Sequence, residues 1–125
     1  MLPGLLNSSS EGTRDFFEGA NTLTTSAGRQ EGLDTITVPS GVTKGILFVC
    51  ASGWNNQSNL YSVYGDGIVS KKTLSNNGGN MNDSATAVYF EINYVTLSPG
   101  KTITLDMNDQ SGLGSYPCAY MTLYY

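Results

Sequence analysis

From Leu33 to the last residue, short apolar runs alternate with clusters of turn residues. Thr35-Ile36-Thr37-Val38 keeps a period of two and stops at Pro39-Ser40-Gly41, where proline has no ladder donor and glycine tolerates positive φ. Gly45 to Ala51 is a continuous apolar run, which predicts a central strand covered on both faces. Leu60-Tyr61-Ser62-Val63-Tyr64 and Ile68 to Thr73 flank Gly65-Asp66-Gly67, predicting a hairpin closed by a tight turn. Ala85 to Tyr94 reads as a long strand, and Ser98-Pro99-Gly100-Lys101 as a type II turn returning the chain into the alternating strand Thr102 to Met107. The last strand, Cys118 to Tyr125, is apolar enough that it must be paired and central, since an open edge of that kind invites aggregation.

These elements predict an all-β fold, an antiparallel β-sandwich or jelly roll of about seven to eight strands. The expected core is Ile36, Val38, Ile46, Phe48, Val63, Ile68, Val88, Phe90, Ile92, Ile103, Leu105, Met121 and Leu123. Residues 1–32 break the pattern, because neither period is sustained from Asn7 to Gln30. The chain therefore divides into an extended N-terminal arm, 1–32, and a sandwich domain, 33–125. Within the arm, Leu2, Leu5, Leu6, Phe16 and Phe17 stand out as hydrophobic anchors, for the body of the chain or for a partner.

Composition removes most chemistry. Only 13% of the 125 residues are charged, against roughly 25% in an average domain, which disfavours long solvent-facing helices. There is no histidine, so Ser-His-Asp and Cys-His catalysis and imidazole metal ligation are excluded. A net charge of −4 argues against nucleic acid as a partner. Met1 to Leu6 is apolar but lacks a basic segment and is interrupted by Pro3-Gly4, so neither a signal peptide nor a membrane span is expected. Cys50 and Cys118 lie in strand-like runs and read as buried, reduced thiols.

The weighed chemistry is sparse. Asp106 to Gly112 resembles an EF-hand opening but places its glycine one position late and Pro117 where the bidentate glutamate belongs. Asp66, Asp83 and Glu91 offer carboxylates without a separation that marks a glycosidase pair. The Asn-X-Ser triplets at Asn7, Asn56 and Asn82 are chance matches in an Asn- and Ser-rich chain without an export signal. No enzyme activity, no cofactor and no metal site is expected. Two amide-rich loops, Gly53 to Asn59 beside the sole tryptophan and Ser75 to Ser84, do suggest a sugar or receptor contact, through Trp54, Asn55, Asn56, Tyr61, Asn80 and Asp83. Asn and Gly also serve simply as turn residues, and that plainer reading is favoured. Eight tyrosines, four of them in the last ten residues, supply the amphipathic surface that interfaces favour.

Ile36-Thr37-Val38-Pro39-Ser40-Gly41-Val42-Thr43-Lys44 with Ile46 to Val49, together with the Leu97 to Leu105 hairpin, resembles small β-sandwich virion proteins of bacteriophages, of the head-decoration or tail-fibre type. The resemblance covers residues 33–125 and transfers no site residues. It implies a non-enzymatic structural protein of the virion, made in the host cytoplasm and forming a homotrimer. The leading expectation is a capsid decoration or cement protein that binds the phage head, or a neighbouring subunit, through its arm and sandwich base. The alternative is a receptor- or carbohydrate-binding module of a tail fibre, contacting a host surface glycan.

Overall fold

The computed structural model describes residues 19–28, 31–54, 61–80, 86–108 and 118–125. They form eight strands in two antiparallel sheets: β1 (Thr22–Ala27), β2 (Gly32–Thr37), β3 (Lys44–Trp54), β4 (Tyr61–Tyr64), β5 (Ile68–Asn80), β6 (Thr86–Leu97), β7 (Thr102–Met107) and β8 (Cys118–Tyr124). One sheet has the order β1-β8-β3-β6-β5 and the other β2-β7-β4. The fold is the expected all-β sandwich. A jelly roll is a long antiparallel hairpin rolled on itself, pairing strands 1·8, 2·7, 3·6 and 4·5. The first three pairings are present, and β5 leaves β4 to pair with β6 instead.

That exchange corrects two local expectations. The turn Gly65-Asp66-Gly67 does not close a hairpin, because β4 pairs with β7 while β5 pairs with β6 in the other sheet. The Ser98 to Lys101 turn likewise carries the chain from one sheet to the other. Its geometry is as read from the sequence: Lys101 N donates to Ser98 O at 3.2 Å, and Gly100 takes φ +81°, the left-handed position that a type II turn requires. Gly65, at φ +135°, has no room for a side chain, since an added Cβ would lie 2.3 Å from the Thr102 carbonyl oxygen.

Two further corrections concern strand extent. The segment Ser75 to Asn80, read as loop, is the second half of β5, held against Ile92 to Ala87 of β6. The segment read as arm contains β1, whose Thr22 to Ala27 pair with Tyr124 to Ala119 of β8. β1 escapes the hydrophobic pattern because threonine and serine fill its outward positions and only Leu23 and Ala27 pack on the core. β8 is paired on both sides, with β1 and β3, as its apolar content demands.

The core lies between the sheets. Leu23, Leu123 and Leu47 form one cross-strand row, and Met121 with Val49 and Ala119 with Ala51 form the next two. Ile36, Ile103, Leu105 and Met107 meet them from the smaller sheet, and Leu47, Leu105, Met121 and Leu123 are completely buried. Each such aliphatic side chain contributes about 1.5–3 kcal/mol by leaving water. Ile36, Val38, Ile103, Leu105, Met121 and Leu123 are buried as expected, and Val63 and Ile68 pack against them. Ile46, Phe48, Phe90 and Ile92 are not in this core: their strands present the opposite phase to it, with Leu47, Val49, Val95 and Leu97 inside. The side chain of Val88 lies outside the described residues.

The two ends of the sandwich differ. Pro39 to Thr43, Gly65 to Gly67 and Ser98 to Lys101 make tight connections at one end, where the main chains of Asn21 and Tyr125 also bond to each other. The strand ends leading to 55–60, 81–85 and 109–117 all lie at the other.

Candidate functional site

Three places gather side chains of functional interest. The first is a polar network on the inner face of β5 and β6. Tyr61 of β4 crosses the sandwich and donates its hydroxyl to Glu91 Oε2 at 2.5 Å. Asn93, completely buried, donates through Nδ2 to Glu91 Oε1 at 3.1 Å and to the Leu47 carbonyl at 3.2 Å, and accepts from Thr73 Oγ1 at 2.8 Å. Lys71 Nζ stands 3.9 Å from Glu91 Oε1. Burial pushes the Tyr61 phenol well above its ordinary value, and the hydrogen bond to Glu91 and its charge push it the same way. The network is closed: buried donors meet acceptors, as burial in a low-dielectric setting demands. Its chemistry is to tie β4 to β6, where the two sheets share no strand.

The second place is the outer face of the five-stranded sheet. Alternation puts Ile46, Phe48 and Cys50 of β3 there, with Phe90, Ile92 and Tyr94 of β6 on one side and Tyr120 and Tyr124 of β8 on the other. Phe48 and Phe90 stack with ring centroids 6.5 Å apart and planes within 12°. The rings and aliphatic chains are half-buried, and Tyr94 and Tyr120 are 44% and 50% exposed. The smaller sheet packs on the opposite face, and no described strand lies over this one. The run Gly45 to Ala51 is thus covered on one face only by the described residues, not on both as its continuous apolar character predicts.

The third is the end of the sandwich that carries the candidate sugar contacts. Trp54 closes β3 opposite Thr86, Asn80 closes β5 opposite Ala87, and Tyr61 opens β4. The backbone therefore brings these three positions to one end. Of them only Tyr61 has a described side chain, and its hydroxyl is committed to Glu91. Asn55, Asn56 and Asp83 lie outside the described residues, as do Leu2, Leu5, Leu6, Phe16 and Phe17. An open depression of about 600 Å³ is lined by Glu31, Gly32, Leu33, Asp106, Met107 and Asn108. Among the described residues no three His, Cys, Asp or Glu side chains converge as metal ligands. Asp106 accepts from the Tyr64 hydroxyl at 3.5 Å and Asn108 Oδ1 from Ser62 Oγ at 3.3 Å. Asp66 sits in the tight turn between β4 and β5, away from the Glu91 network.

Both cysteines are free and half-buried. Cys50 stands opposite Tyr120 and Cys118 opposite Ser52 on neighbouring strands, and Ser52 Oγ lies 3.4 Å from Cys118 Sγ. Burial raises the Cys50 thiol's pKa, with a further push from Cys118 nearby. No helix among the described residues is long and apolar enough to cross a membrane.

Sequence reasoning weighs Glu91 only as one of three carboxylates and misses Asn93, whose partners lie up to 46 positions away; it also misses the outer-face row, which it places in the core. A signal for the second existed: β3 is apolar in both phases, and β6 carries Phe90 and Ile92 in one phase and Val95 and Leu97 in the other, so two faces of the same strands need cover. Comparison of the chain with protein-family models, with curated proteins and with solved structures finds no match, so the functional reading rests on this geometry and sequence alone.

Proposed function

We propose that this protein is a non-enzymatic structural protein that acts by joining protein surfaces, and that its specific form is a virion protein decorating a phage capsid, as the resemblance at residues 36–49 and 97–105 implies. The observation that supports this reading is the outer face of the five-stranded sheet, where Phe48, Phe90, Ile46 and Ile92 form a contiguous apolar patch rimmed by exposed tyrosines. Patches of that kind mark contact surfaces, and tyrosine-rich rims are typical of them. On this reading the sandwich base is that face, the arm anchors Leu2, Leu5, Leu6, Phe16 and Phe17 add to the contact, and a homotrimer at a symmetry axis would multiply weak contacts through effective concentration. The test is genomic and then biochemical. Genes for capsid proteins should flank this one, and the purified protein should cosediment with shells built from the neighbouring capsid protein; flanking genes unrelated to virions, or no cosedimentation, would contradict it.

A second reading keeps the same virion setting but places binding at the other end. The convergence of Trp54, Asn80 and Tyr61 at one end of the sandwich favours it. A host-surface glycan would then stack on Trp54, and Trp54→Ala would abolish binding on a glycan array without lowering the melting temperature.

A further inference from the structure

Cys50 and Cys118 share one face of the larger sheet. Cys50 stands opposite Tyr120 and Cys118 opposite Ser52, so the two thiols lie on neighbouring strands, β3 and β8, as diagonal neighbours on the same side. Both are free and half-buried. Burial raises the Cys50 thiol and charge on Cys118 raises it further, so the two groups lie close enough to sense each other. Ser52 Oγ, 3.4 Å from Cys118 Sγ, sets a hydroxyl beside the pair. β8 is held on both sides, by β1 and β3, so the backbone fixes the spacing of the thiols before anything binds.

Spacing and ligand count decide what the pair can take. Diagonal neighbours in an antiparallel ladder have Cα atoms about 7–8 Å apart, outside the range of about 4.4–6.8 Å in which a disulfide forms without moving the backbone. An ion held between two sulfurs asks for less approach, because it spans two metal–thiolate bonds of about 2.3 Å each. Among the described residues no third His, Cys, Asp or Glu converges on the thiols, and a structural zinc needs four ligands. Thiolates are soft donors that select soft ions. The soft biological ion that two thiolates satisfy, in a linear arrangement, is Cu(I).

We propose that Cys50 and Cys118 form a two-coordinate site for Cu(I), bridging β3 and β8 on the outer face of the five-stranded sheet, with Ser52 donating to the Cys118 sulfur. Binding replaces two S–H bonds by two S–Cu bonds, the two protons pass to water, and copper stays Cu(I), so no oxidant or reductant is needed. The site goes beyond the functional reading above and does not depend on it, since all three residues belong to one chain whatever that chain joins.

The full chain, reduced and kept free of oxygen, is titrated with Cu(I) against bathocuproine disulfonate, whose colour reports the copper that the protein has not taken. One ion per chain should bind, with the mass in solution unchanged by light scattering. Cys50→Ser and Cys118→Ser should each weaken binding about a hundredfold or more, because each removes the partner that makes the second bond intramolecular. Wild-type affinity in either variant would overturn the proposal, as would two ions per chain or one ion shared by two chains. Should a serine variant fail to fold, alkylation of the wild type carries the question. One equivalent of copper should protect both thiols from N-ethylmaleimide, counted by mass, and protection of one thiol or of neither would overturn the site.

Discussion

Tyr61, on the edge strand of the smaller sheet, donates a 2.5 Å hydrogen bond to Glu91 on the inner face of the larger one. The pair spans the side of the sandwich where β5 has left its jelly-roll partner β4, so a side-chain bond stands where a strand ladder would otherwise run. Removing the hydroxyl with Tyr61→Phe should cost about 1–2 kcal/mol, the lower part of the range for a bond to a charged acceptor because the site is half-exposed. Urea denaturation of the variant should show a lower midpoint and an unchanged slope. A double-mutant cycle with Glu91→Ala should show coupling, the double variant losing less than the sum of the two single ones, since either change alone removes the bond.

The same pair predicts a loss of stability at high pH. The Tyr61 phenol is raised above its ordinary value in the folded chain, chiefly by burial and then by Glu91. In the unfolded chain it ionises near pH 10. The stabilisation is therefore complete below about pH 10 and is lost as the pH rises further, because the unfolded state releases a proton that the folded state keeps. Thermal melts from pH 8 to 11 should show the wild type losing stability faster than Tyr61→Phe above pH 10, with the two curves parallel below it.

Neighbouring positions on β3 should behave oppositely. Leu47 is completely buried between the sheets, and Leu47→Ala should cost about 2–5 kcal/mol through lost burial and a cavity. Phe48 faces the other way, half-buried and stacked on Phe90. Phe48→Ser should cost less than about 1.5 kcal/mol, since the ring is only half-buried, and should reduce binding of a hydrophobic dye. Calorimetry of the two variants checks the contrast.

That contrast also marks where the sequence is legible and where it is not. The fold class follows from turn signals whose geometry holds: Gly100 takes φ +81° inside the Ser98 to Lys101 turn. The phase of β3 does not follow, because Ile46, Phe48 and Val49, Leu47 are equally apolar and period two cannot say which set faces the smaller sheet; in β6 the alternation misleads, because the polar Glu91 and Asn93 are the ones turned inward. Ser75 to Asn80 lacks β-propensity and is a strand only because β6 pairs with it, a tertiary effect invisible locally. β1 hides behind its threonines. At the candidate sites, the convergence of Trp54, Asn80 and Tyr61 at one end could not be read before the strand order was known, and neither could the Tyr61 to Glu91 bond, whose partners are 30 residues apart.

Glycines in the tight turns should separate by space as well as by conformation. Gly41 has φ +81° and nothing within 4 Å of an added Cβ, so Gly41→Ala carries only the conformational cost of about 1 kcal/mol. Gly65 has φ +135°, and its Cβ would strike the Thr102 carbonyl oxygen, which also accepts from Gly67 N. Gly65→Ala should therefore cost more than about 2 kcal/mol, since the turn joining the sheets must move. Melting temperatures of the two variants, measured side by side, check the order.

The central claim is that the protein acts through the outer face of its five-stranded sheet, and photo-crosslinking from that face tests it most directly. A benzophenone amino acid is placed at Phe48 in one full-length variant and at Trp54 in another, each is assembled in the native host, and the particles are irradiated. Position 48 is expected to crosslink to a virion shell protein, and position 54 is not. Crosslinks to a shell protein or receptor from position 54 and none from position 48 would contradict the claim.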